Sequence, residues 1–182
     1  MSRVEKMLEF NKKFVESGQY KNYSSTKNPN KKIAVLSCMD TRLTELLPAA
    51  LNFKNGDIKI IKNAGAVISN PFGSVMRSLL VAVYELGVED ILVIGHSDCG
   101  MQGMDAAKLV GKMMDRGIEK ETLDFLDYCG VDIQKWLKGF DSVNESILET
   151  VNIIRKHPLM SKEVRVYGFV IDPTTGELGR VH

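Results

Sequence analysis

Residues 74–100 read SVMRSLLVAVYELGVEDILVIGHSDCG, and this stretch decides the fold. From Ser74 to Leu86 the chain is almost entirely apolar and Gly87 supplies a stop, which predicts a helix buried on all sides. Ile91-Leu92-Val93-Ile94-Gly95 follows as a continuous apolar run too short for a helix, the pattern of a strand covered on both faces. The same alternation extends outward. Ile33 to Leu36 and Ile58 to Ile61 read as strands, with a helix-like stretch from Thr44 to Asn52 between them and Pro48 near its turn. On the other side, Gly100 to Phe140 predicts several short helices, and Ser142 with Glu145 opens a capped helix that ends before Pro158. Val164 to Ile171 is a fourth strand, and the turn Asp172-Pro173-Thr174-Thr175-Gly176 leads into a possible short strand, Glu177 to Val181. Strands alternating with helices imply an α/β fold with a mainly parallel central sheet, about four strands plus the short C-terminal one, flanked by helices.

Ser2 and Glu5 form a capping-box pattern ahead of Val4, Met7, Leu8, Phe14 and Val15, with Gly18 as the stop, so residues 1–18 predict an amphipathic N-terminal arm helix. The polar stretch Gln19 to Lys32 reads as an extended connector to an α/β core over residues 33–182, and the 182 residues together suit a single domain. Lys plus Arg number 24 against 23 Asp plus Glu, without blocks of one sign, which leaves no footprint for nucleic acid or an anionic membrane. The apolar runs fall short of the ~20 residues that cross a bilayer. Met1 to Lys6 lacks the apolar region of a secretory signal, so a cytoplasmic protein is expected. Three widely spaced cysteines, Cys38, Cys99 and Cys129, do not make a disulfide framework; packing, metal binding and catalysis stay open for them.

Parallel sheets bind ligands beyond the carboxyl ends of their strands. The first strand runs out into Cys38-Met39-Asp40-Thr41-Arg42 and the third into His96-Ser97-Asp98-Cys99-Gly100, so C-x-D-x-R and H-x-x-C leave the same edge of the sheet. Cys38, Asp40, His96 and Cys99 thus converge as two thiols, an imidazole and a carboxylate, the donor types zinc takes in tetrahedral sites. In extended chain Cys38 and Asp40 share a side; His96 and Cys99 lie one helical turn apart, with Gly95 and Gly100 permitting tight bends. A lone cysteine at a strand end is usually core filler, but two with a His and an Asp at two strand exits favour a metal. A purely structural zinc would more typically use close C-x-x-C pairs, and a phosphatase cradle needs a longer Cys-to-Arg spacing than Cys38 to Arg42 provides. Asp98 reads as a solvated or hydrogen-bonding loop residue, Cys129 as packing, Trp136 as core or interface, and His157 as a helix cap or solvent-facing group.

The order C-M-D-T-R, N-A-G-A-V, H-S-D-C-G closely resembles the β-class carbonic anhydrases over Ile33 to Met101, and more weakly at the strand from Val164. That resemblance implies one Zn²⁺ per chain held by Cys38, His96 and Cys99, with Asp40 and Arg42 as a catalytic dyad beside the fourth position, which Asp40 itself occupies when the pair opens. It implies reversible hydration of carbon dioxide to bicarbonate by zinc-bound hydroxide, in a homodimer or dimer of dimers whose N-terminal helix reaches over the partner. Asn63, Ala64 and Gly65 then read either as a wall of the substrate pocket or as a tight strand-to-helix turn. Lys27-Asn28-Pro29-Asn30 lacks the substrate-binding Gln that many members carry before the first strand. This resembles the compact branch that includes carbonyl sulfide and carbon disulfide hydrolases, which makes those substrates the alternative. A non-catalytic zinc-stabilised dimerisation module is the remaining reading.

Overall fold

The computed structural model describes residues 1–182. In chain order the elements are α1 (Arg3–Glu16), β1 (Ile33–Cys38), α2 (Leu43–Ala50), β2 (Ile58–Asn63), α3 (Ser74–Tyr84), β3 (Asp90–His96), α4 (Ala106–Met114), α5 (Lys120–Tyr128), α6 (Ile133–Leu137), α7 (Val143–Lys156), β4 (Arg165–Ile171) and β5 (Leu178–Arg180). One five-stranded sheet runs in the order β2-β1-β3-β4-β5, parallel except for the antiparallel β4–β5 pair. The α/β architecture is the one the alternation predicts. The chain leaves β1 toward β2 on one side and returns to β3 on the other, so the sheet's switch point lies between β1 and β3. Loops diverge there and open a crevice, and both candidate motifs leave from it.

The core has two parts, one on each face of the sheet. Ala34, Leu36, Ile91 and Val93 pack with Met76, Leu79 and Ala82 of α3 and with Ile147, Val151 and Ile154 of α7. On the opposite face Val35, Ile94 and Ile171 pack with Leu43 and Leu47 of α2, and Cys38 and Cys99 belong to this second cluster. Pro48 lies inside α2 rather than at a turn. α3 departs from the expectation of complete burial. Only Met76, Leu79 and Ala82 are buried, whereas Val81 and Tyr84 face outward, because the sheet covers one side of the helix.

The N-terminal helix forms as predicted, with the Ser2–Glu5 capping box in place and Gly18 in the left-handed region after it. It buries none of its own residues, and Val4, Met7, Leu8, Phe10 and Val15 stay exposed. The connector is not wholly extended: Gln19–Tyr23 closes into a 3₁₀ turn against the arm, with Phe14 and Tyr23 in ring contact. No helix of the chain is long and apolar enough to cross a membrane.

Two glycines seat α7 on the sheet. A Cβ at Gly168 of β4 would stand 2.8 Å from Ile147 Cγ2, and one at Gly95 of β3 would stand 2.9 Å from Ile147 Cδ1. Neither glycine has a positive φ, so absent volume, not backbone freedom, is what the packing uses. Gly95 therefore does not supply the bend expected of it. Gly168→Ala is expected to destabilise the fold by about 1–3 kcal/mol through overpacking. Gly111→Ala, in α4 with nothing within 4 Å of the new methyl, should raise stability by about 0.5–1 kcal/mol. Urea unfolding of the two variants checks the contrast; equal midpoints would refute the account of α7.

Candidate metal centre

Cys38 is the last residue of β1 and His96 the last of β3, so parallel pairing of these neighbouring strands brings both to one end of the sheet. Cys99 returns to them through a backbone that is not helical. Asp98 takes φ +54°, and this left-handed residue, not a helical turn or a glycine, folds the chain back. Gly100 has no positive φ, so the left-handed reversal falls on Asp98 and not on the glycine. The sulfur atoms of Cys38 and Cys99 stand 3.9 Å apart, both cysteines are free, and the ligand atoms of Cys38, His96 and Cys99 all lie within 4.8 Å of one another.

The chemistry of this trio fits a bound cation. His96 is fully buried, its Nδ1 lies 2.8 Å from the Ser97 carbonyl oxygen, and its Nε2 has no hydrogen-bond partner. A carbonyl only accepts, so Nδ1 carries the proton and donates it, which leaves the Nε2 lone pair free toward the two sulfurs. An unsatisfied buried polar atom costs about 1–3 kcal/mol, and a metal ion at Nε2 would remove that cost. Burial pushes the Cys99 thiol upward, and the neighbouring Cys38 sulfur adds to it. A cation between the sulfurs reverses that balance, since it favours the thiolates burial alone disfavours.

Asp40 and Arg42 stand at the mouth of this trio. The Arg42 backbone N–H and Nε both donate to Asp40 Oδ1, at 2.9 and 3.0 Å, and Arg42 Nη2 donates to Oδ2 at 2.8 Å. This fork holds the Asp40 carboxyl down to about 2, well below the usual carboxylate range, and the reciprocal bonds raise Arg42. Asp40 is therefore an acceptor only at neutral pH. Its Oδ2 lies 3.7 Å from His96 Nε2, close to the donor trio yet engaged by the guanidinium. Arg42 also reaches the other loop, with Nη1 donating to Asp98 Oδ2 at 2.9 Å and Nη2 to the Asp98 carbonyl at 3.1 Å.

The loop after β2 is a tight turn closed by its own side chain. Asn63 Nδ2 donates to the Val67 carbonyl and Oδ1 accepts from the Val67 N–H, while the Asn63 carbonyl accepts from the Met39 N–H. Gly65, at φ +82°, approaches Met101 and Phe140 so closely that a Cβ would lie 2.9 Å from the Phe140 ring. The loop thus adjoins the segment that follows Cys99. The reading of Cys129 is corrected, and those of Trp136 and His157 each lose one of their two alternatives. Cys129 is exposed at the end of α5, outside the donor group, so it is not a packing residue. Trp136 is 65% exposed and forms no part of this chain's core, because α6 is short and peripheral. His157 is the C-cap of α7, the first of its two readings, and does not face solvent: it is buried, its Nδ1 accepts from the Leu159 N–H and its ring packs on Phe72. Asp98 was legible only as a loop residue, since nothing in residue spacing reveals a grip on Arg42 that depends on a positive φ.

A parallel α/β sheet with two thiols and an imidazole gathered at its switch point defines a candidate metalloprotein of the carbonic anhydrase type. The carbonic anhydrase family model matches residues 33–178, and the chain belongs to the β-carbonic anhydrase family. It is 52% identical over 178 residues to the carbonic anhydrase-family protein YtiB of Bacillus subtilis (strain 168), covering 98% of this chain and 95% of that one. A carbon disulfide hydrolase of Acidithiobacillus thiooxidans is 29% identical over 159 residues, covering 84% and 78% of the two chains. The crystal structure of β-carbonic anhydrase isoform I from Trichomonas vaginalis superposes with a TM-score of 0.90 at 32% identity, covering 100% of this chain and 98% of that one.

Proposed function

We propose that this chain is a zinc enzyme that reversibly hydrates carbon dioxide to bicarbonate, with Cys38, His96 and Cys99 holding one zinc ion. The observation that carries the reading is the buried His96 Nε2, left without a partner and accompanied by two free thiols within 4.8 Å. Two thiolates balance a divalent cation and the imidazole is neutral, which suits a tetrahedral zinc with one position left for chemistry. Zinc, when bound, supplies a Lewis acid that makes water a nucleophile near neutral pH. The Ser97 carbonyl fixes the His96 tautomer and so aims Nε2. Asp40, ionised and beside His96, accepts a hydrogen bond from the attacking water and orients it toward the carbon. Arg42 keeps that carboxylate in place and balances its charge. Asn63, Ala64 and Gly65 would line the pocket for a small uncharged molecule, supported by the approach of Gly65 to Met101 and Phe140.

Similarity to a carbon disulfide hydrolase supports a second reading, in which the same site hydrolyses carbon disulfide or carbonyl sulfide. Metal analysis combined with two assays separates the readings. The expected result is about one zinc per chain, carbon dioxide hydration well above a zinc-free control, and no hydrogen sulfide from carbon disulfide. Hydrogen sulfide release at comparable kcat/KM would favour the second reading, and a zinc-loaded protein with neither activity would leave the non-catalytic module. A cytoplasmic homodimer or dimer of dimers completes the proposal. The uncovered apolar face of α1 supports the oligomer, and sedimentation at a single 20.3 kDa mass would overturn that part.

A further inference from the structure

Arg42 is gripped from two sides, and only one of them belongs to its own loop. Asp40 accepts from Nε and Nη2 on the β1 side of the crevice. Across the switch point, on the loop between His96 and Cys99, Asp98 takes Nη1 with its carboxylate and Nη2 with its main-chain carbonyl. The double contact depends on an unfavourable backbone conformation, φ +54° at a residue that is not glycine. Asp and Asn tolerate that region better than other side chains, and Asp alone adds a charged acceptor for the guanidinium. Without Asp98, Nη1 would have no partner in the chain, and the guanidinium could swing with the Asp40 carboxylate.

We infer that Asp98 is a positioning residue that sets how firmly Arg42 holds the Asp40 carboxylate, and so how far Asp40 is kept from the metal position. This rests on the zinc reading proposed above and adds to it a control on the fourth position, exerted from the loop that joins two of the three donors. The side chain of Asp98 is 85% exposed and that of Arg42 40%, so the effect is a bias and not a lock. Exposed ion pairs of this kind shift an equilibrium by about two- to fivefold.

Two substitutions separate positioning from folding. Asp98→Gly keeps the carbonyl, removes the carboxylate and relieves the positive φ, so it should not lower the melting temperature. Asp98→Asn keeps an acceptor and tolerates the same backbone but loses the charge. In cobalt(II)-substituted protein at neutral pH, the absorption of the carboxylate-coordinated metal should grow by about two- to fivefold in Asp98→Gly and by less in Asp98→Asn. kcat should fall in parallel with KM unchanged. In an Arg42→Ala background, Asp98→Gly should have no further effect. In the metal-free protein, the separate Nη–Hη resonances that a pinned Arg42 gives should average in Asp98→Gly. Unchanged cobalt spectra, or equal effects of Asp98→Gly with and without Arg42, would overturn the inference. A wild-type chain that binds neither zinc nor cobalt sinks the zinc reading instead, and the Arg42 resonances then decide the grip alone.

Discussion

Cys99→Ser is expected to lower zinc content from about one per chain to below about a tenth and to remove carbon dioxide hydration in proportion, with the fold retained. Substitutions that merely disturb the groups around a ligand weaken metal binding about 10–100-fold, and loss of a ligand should exceed that range. Serine nearly matches cysteine in volume, so the second core cluster, to which Cys99 contributes, should keep its packing. The same logic separates an enzyme from a zinc-stapled module. The sheet carries an apolar cluster on each face, and the one under α3 and α7 contains none of the three metal donors. Chelation should therefore lower the melting temperature by the linkage expected of any ligand and leave the far-ultraviolet dichroism of an α/β fold. Small zinc domains behave otherwise, since their folding free energy is the metal's binding free energy. Collapse of the dichroism on chelation would favour the non-catalytic reading, and activity persisting in Cys99→Ser would remove Cys99 from the site.

How much of this could be read beforehand depended on whether the information was local. The strand runs at Ile33, Ile58, Ile91 and Val164 declared themselves because strands covered on both faces must be continuously apolar, and the parallel sheet followed from their alternation with helices. Cys38 and His96 could be brought together from sequence because both terminate strands at the same edge. Cys99 needed one more fact, the reversal at Asp98, and there the expectation of a helical turn flanked by glycines failed: the positive φ falls on Asp98, whose side chain stabilises the result through Arg42. Gly95 reads locally as a bend, whereas its use is to admit Ile147, a contact between α7 and β3 that spans about fifty sequence positions and leaves no local trace. Cys129 as a packing residue and Trp136 as a core residue fail for the opposite reason. Their residue types favour burial, but the short helices α5 and α6 sit at the periphery, where a type preference decides little.

Arg42→Ala should reduce carbon dioxide hydration by about 100-fold, the lower range for removing a positioned proton-handling group, while zinc stays bound. The loss is indirect. Two of the three donors to Asp40 vanish, and the carboxylate, whose Oδ2 already lies 3.7 Å from His96 Nε2, can then compete for the position the reacting water needs. Of these three the backbone N–H survives the substitution, so Asp40 loses its fork but not its tether. Arg42→Lys should recover little of the activity, because an ammonium offers a point charge and cannot span both Asp40 oxygens and Asp98 in one plane. Asp40→Asn should cost a similar factor by removing the charged acceptor itself. If the two residues act as one unit, the double variant will be no worse than about threefold below either single, since a unit already broken has little more to lose. Multiplying losses would instead mean that Arg42 and Asp40 contribute separately, with Arg42 touching substrate directly, and the paired geometry would then be an arrangement of charge without a shared task.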